Sequence, residues 1–76
     1  QGSHGLTQSD QRAIKYYTLS ADQGHPDAQY NLGAKYVKGE GIETSYSKAR
    51  ELFTKAAAQG HESSIKVLKM MDKHGV

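Results

Sequence analysis

Cysteine and tryptophan are absent from this 76-residue chain, and proline and phenylalanine occur once each. Without cysteine there can be no disulfide staple and no thiolate metal site. Long apolar runs are also missing, and nothing approaches the ~20 residues that would span a bilayer. Charge of one sign is scarce: ten basic and eight acidic residues, spread through both halves, leave a net charge of +2. No concentrated basic patch would draw the chain to nucleic acid or anionic lipid. Hydrophobic residues make up 36% of the chain, alanine supplies much of that share, and the mean hydropathy is −0.78. A chain this short has a marginal core by surface-to-volume scaling, so burial should occur in thin layers between helices.

What is present is a period. A shift of 36 pairs residues 1–40 with 37–76 and makes ten pairs identical, among them Ala13/Ala49, Gln23/Gln59, Gly24/Gly60, His25/His61 and Leu32/Leu68. Chance would give about two or three in forty, and periods of this size mark stacked supersecondary units. Leu6/Ile42, Arg12/Lys48 and Tyr17/Phe53 agree in kind.

The pattern predicts four helices, at about 9–23, 26–38, 46–59 and 62–74. Gln1 to His4 read as a cloning or protease scar, and Gly5-Leu6 as the tail of a loop. Ser9 stands as N-cap of the first helix, with Asp10 and Gln11 in the first turn and Ala13, Tyr17 and Ala21 on one face. Gly24 ends that helix. His25 and Pro26 open the second at N-cap and N1, and Ala28, Leu32 and Tyr36 form its stripe. Gly33 costs about 0.8–1 kcal/mol against alanine inside a helix, which implies close approach of a neighbouring helix. Gly39-Glu40-Gly41 breaks the chain, and Ile42 plugs the loop. Ser45 caps the third helix, with Ala49, Leu52, Phe53, Ala56 and Ala57 inward and a Glu51/Lys55 ion pair outward. The fourth helix is expected to rest on Ile65, Leu68 and Met70 or Met71.

The string Ala28, Leu32-Gly33, Tyr36, Gly39, Gly41-Ile42, Lys48-Ala49, Phe53, Lys55-Ala56-Ala57 and Gly60 resembles the Sel1-like repeat, a relative of the tetratricopeptide repeat. The resemblance covers residues 5–75. Residues 5–24 match the second half of one repeat, 25–60 a full repeat, and 61–76 a degenerate C-terminal capping helix. Ser45 departs from the family's usual aspartate but also caps. Ser64, Lys69 and Asp72 replace the counterparts of Ala28, Gly33 and Tyr36, so the array is expected to end here and to continue upstream. The resemblance implies an all-α solenoid, or α/α superhelix, of antiparallel helical hairpins, and a bacterial source.

By similarity to tetratricopeptide arrays, the groove of such a superhelix would be lined by Tyr30, Ala34, Val37 and Lys38, with Lys66, Met70, Lys73 and His74 one unit on. That mixture suits a peptide or protein segment with apolar and acidic side chains, which implies a scaffold or adaptor role. Self-association and a purely structural array end are alternatives. So is a module that binds cell-wall peptides or β-lactams with weak hydrolase activity, although the cysteines of the relatives associated with that activity are missing.

No catalytic, cofactor or metal site is expected. His25 and His61 occupy equivalent places in consecutive units, roughly 10 Å apart by helix spacing, whereas one zinc needs nitrogens within about 2.1 Å of it. Gly39-x-Gly41 follows a helix and lacks the Lys-Ser/Thr ending of a phosphate loop. Serine, histidine and aspartate are all available for a triad, but no strand-turn-helix elbow presents a serine. Tyr17, Tyr36 and Phe53 stand at core spacing rather than as base-stacking platforms.

Overall fold

The structure, a computed structural model, describes residues 8–76, and of Gln8, Ser9 and Asp10 the backbone alone. The scar at residues 1–4 and the loop tail Gly5-Leu6 lie outside the described residues. Within them the chain is all-α: α1 Gln8–Asp22, α2 Pro26–Lys38, α3 Tyr46–Ala58 and α4 Glu62–His74. Each helix packs chiefly on its neighbours in sequence, giving a slab of 38 × 28 × 16 Å. The short dimension is less than two helix diameters of about 10–12 Å, consistent with burial in layers.

The helix boundaries follow from identifiable caps. Ser45 Oγ accepts from the Lys48 amide at 3.3 Å and starts α3. His25 and Pro26 start α2 without a side-chain cap bond from the histidine. The α1 and α3 ends repeat one motif: the amides of His25 and His61 reach back to the carbonyls of Ser20 and Ala56, the six-to-one bond of a Schellman cap. Gly39 must be glycine on two counts. Its φ of +71° disfavours any side chain, and a Cβ there would run into Thr44 Oγ1. The α2–α3 loop is pinned by the Ser45 amide on the Tyr36 carbonyl at 3.1 Å.

Two apolar clusters hold the layers together. Ala21, Ala28 and Leu32 join α1 to α2, with Ile14 and Tyr17 packed beside them. Ala49, Phe53 and Met71 join α3 to α4, with Tyr30, Val37, Val67 and Leu68 around them. Tyr36 borders both clusters. Gly33 is the point of closest approach: a Cβ built on it would lie 2.7 Å from Phe53 Cε1. The bare backbone of α2 thus lies directly on the Phe53 ring, and Ala49, clustered with Phe53, is fully buried, as is Ala56.

Several expectations need correction. Helix α1 is already formed at Gln8, so Ser9 lies inside it and is not the N-cap. Glu51 and Lys55 are both exposed, and the ion pairs among the described residues are Lys35–Glu40 and Arg50–Asp72. In α4 the inward residues are Ser64 and Met71, while Ile65 and Met70 are exposed. Leu68 and Met71 of the expected set do pack inward, joined by Ser64 and Val67 in place of Ile65. Asp72 takes a hydrogen bond from Arg50 Nη1 at 2.8 Å, and Arg50 Nη2 donates to the Val76 carbonyl, tying the end of the chain to α3.

Candidate functional site

The eight residues expected to line the groove fall into three groups. Tyr30 and Val37 are half-buried and turned toward α3 and α4. The Tyr30 ring sits 5.6 Å from Phe53 and 5.1 Å from His61, centroid to centroid, and Val37 packs on the Ala49–Phe53–Met71 cluster. Ala34 and Lys38, one turn apart on α2, lie along a shallow groove of about 190 Å³ with Asn31, Lys35 and Glu40. Lys66, Met70, Lys73 and His74 are exposed on α4, Met70 to 58%.

Met70 and His74 are the one-unit counterparts of Ala34 and Lys38. Lys66 and Lys73 are the counterparts of Tyr30 and Val37, the positions that α2 commits to packing. Lys38, Lys66 and Lys73 take part in no ion pair among the described residues. Their ammonium groups are therefore available to a carboxylate from outside.

A network that sequence reasoning missed holds α2 to the start of α4. His61 is the N-cap of α4, and its Nδ1 accepts the Ser64 amide at 3.3 Å. An accepting Nδ1 places the ring proton on Nε2, which donates to Asp27 Oδ1 at 2.9 Å. Ser64 Oγ also lies 3.0 Å from Nδ1 and donates to it. Aspartate, histidine and serine thus stand in a hydrogen-bonded row. Nucleophilic chemistry would need the serine oxygen to face a substrate carbonyl, and Ser64 is fully buried. The row caps a helix and joins two units.

Gln29 is the second missed residue. Only 4% exposed, it donates to the Ala21 carbonyl at 3.2 Å and accepts from Gln59 Nε2 at 3.1 Å. Gln59 also donates to the Gly24 carbonyl at 2.9 Å. The identity of Gln23 with Gln59 and of His25 with His61 across the period was the available signal for these joints. Among the described residues no three histidine, aspartate or glutamate side chains converge to hold a metal. No helix among them is long and apolar enough to cross a membrane.

Short helices, each packed on its neighbours in sequence and joined by the same capping motif every 36 residues, define an α/α repeat protein. The chain belongs to the Sel1 repeat family, whose repeat matches residues 1–25 and 26–61. Sel1 repeats mediate protein–protein interaction. Among curated proteins the chain is similar to DAP3-binding cell death enhancer 1 of Rattus norvegicus, at 36% identity over 53 residues, which is 70% of this chain and 10% of that protein. The Mus musculus protein of the same name is 38% identical over the same coverage. The chain spans about a tenth of the length of these curated relatives. Both are mammalian, so they lend no support to a bacterial source. No solved structure matches the chain significantly.

Proposed function

We propose that the chain is a non-enzymatic protein-interaction module, acting as a scaffold or adaptor, whose recognition face is the outward side of α2 and α4. Ala34, Lys38, Met70 and His74 form the centre of that face, with Lys66 and Lys73 at the α4 edge. Tyr30 and Val37 support it from behind. The fitting ligand is a peptide or protein segment with apolar side chains for Met70 and Ala34 and carboxylates for the lysines. A flexible, polarizable methionine adapts to many apolar shapes, and unpaired ammonium groups give orientation and speed of encounter more than raw affinity.

The observation that carries this reading is Met70. A large apolar side chain is 58% exposed on a capped helix, among lysines with no partner in the described residues. The mammalian relatives are named for binding another protein, which supports a protein partner in kind. Because the chain spans a tenth of them, their own partner is not carried over.

Selection of peptides from a displayed random library against the whole chain, with counter-selection on a Lys38→Glu/Met70→Asp variant, tests the face. Enrichment of acidic-apolar peptides whose Kd rises at least tenfold for the variant is expected. Peptides that bind both proteins equally, or no enrichment at all, would remove this face from the account.

A further inference from the structure

Met70 and Met71 follow one another on α4 but meet different surroundings. Successive residues of a helix point about 100° apart, and here that turn carries one thioether into the core and leaves the other in solvent. Met71 is 5% exposed and clusters with Ala49 and Phe53, whereas Met70 is 58% exposed. The chain has these two methionines, no cysteine and no tryptophan. The thiols and indoles that would compete for an oxidant are therefore missing, and the Met70 sulfur is the one open to solvent. Lys66 stands one turn before Met70, and Lys73 and His74 stand one turn after it. Side chains three and four residues apart on a helix are neighbours, so both lysines reach the space around the Met70 sulfur. Neither takes part in an ion pair among the described residues.

We propose that Met70 is a reversible oxidation site that switches off the α2–α4 recognition face. The inference rests on that face being the binding surface and adds its regulation. The oxidant class is a hydroperoxide. A sulfur lone pair attacks the outer peroxide oxygen, and the S–O bond forms as the O–O bond breaks. The sulfur loses two electrons, and the reduced peroxide leaves as water or an alcohol.

Met70 thereby becomes methionine sulfoxide, and a flexible apolar side chain becomes polar. The apolar seat offered to a ligand is lost. The new sulfoxide oxygen accepts a hydrogen bond from the Lys66 or Lys73 ammonium, so a group free for a ligand carboxylate is occupied as well. A sulfoxide reductase reverses the step: the oxygen leaves as water, with two electrons and two protons drawn from a dithiol that becomes a disulfide. The same chemistry at Met71 would set a polar oxygen beside Phe53 in an apolar core, at the cost of burying it. Burial spares Met71, so the switch acts on the surface and leaves the fold alone.

The test treats the whole chain with hydrogen peroxide, removes the oxidant, and follows three readouts: peptide-mapping mass spectrometry, melting temperature, and Kd for a peptide selected on the parent that lacks methionine and cysteine. Met70 should gain one oxygen before Met71 does, the melting temperature should stay unchanged, and Kd should rise severalfold. Methionine sulfoxide reductases A and B with dithiothreitol, one enzyme for each sulfoxide epimer, should restore the Kd. A Met71→Leu protein, a swap that conserves volume, should keep the whole response. Met70→Leu should show the same Kd before and after peroxide. Earlier oxidation of Met71, a Kd unmoved by Met70 sulfoxide, a response that survives in Met70→Leu, or weaker binding that only accompanies melting would overturn the proposal. The Lys38→Glu/Met70→Asp variant separates the two readings. Normal binding by that variant removes the face and the switch with it, whereas weak binding by the variant with an unchanged Kd for the oxidised parent removes the switch alone.

Discussion

Gly33 and Phe53 show how one pair of residues sets the spacing of a helix layer. Alanine at position 33 would gain about 1 kcal/mol of helix propensity, but its Cβ would sit 2.7 Å from a buried ring carbon. Overpacking a core of this kind costs about 1–3 kcal/mol, so Gly33→Ala is expected to destabilise the protein by about 1 kcal/mol net. In a Phe53→Leu background the ring is gone, and the same substitution should become neutral or stabilising. Urea melts of the four proteins check this as a double-mutant cycle, and an equal effect in both backgrounds would refute the contact. The histidines offer a second residue-level contrast. His61→Ala removes a cap, a stacked ring and the bond to Asp27, and loss of a cap alone typically costs about 1 kcal/mol. His25→Ala removes an exposed side chain with no cap bond, and its melt should overlay the parent's.

At the scale of the helix, the boundaries were legible because each is written in a few residues. Ser45, Pro26, Gly24 and Gly60 mark starts and stops by backbone chemistry that tertiary packing does not override. Helices α2 and α4 run as the pattern predicts, and α1 and α3 end one residue early. The start of α1 was misread because a serine near a helix start resembles a cap whether or not it occupies that position. In α4 Leu68 and Met71 face inward as expected, and Ile65 was misread for a different reason. An apolar count places Ile65 inward, but Ser64 takes the buried slot of Ala28 and His61 satisfies its hydroxyl, which no hydropathy pattern records. Tyr30 and Val37 were assigned to the groove by analogy, and the packing that draws them toward α3 and α4 depends on a contact 23 residues away in Phe53. The α3 cap belongs to this scale. Ser45→Ala should cost about 1 kcal/mol and Ser45→Asp almost nothing, since aspartate caps as well as serine; chemical denaturation of both variants decides it.

For the molecule as a whole, the thin core makes stability fragile and leaves the surfaces to function. Phe53 is 1% exposed and meets α2 and α4 together. Truncation of a buried phenylalanine costs about 3–5 kcal/mol, comparable to the lower end of total stability for a small domain. Phe53→Ala should therefore leave the chain largely unfolded at 37 °C by circular dichroism. Met70 and Lys38 lie on the other side of that balance, because neither is buried and neither pairs with another described residue. The central claim is that these outward residues of α2 and α4 bind while the inward ones only hold the shape. The measurement that bears on it most directly is affinity and melting temperature together, on the parent and on Lys38→Glu/Met70→Asp, using one peptide selected on the parent. The account predicts a Kd at least tenfold higher with an unchanged melting temperature. An unchanged Kd, or a Kd that rises only because the protein melts, would contradict it.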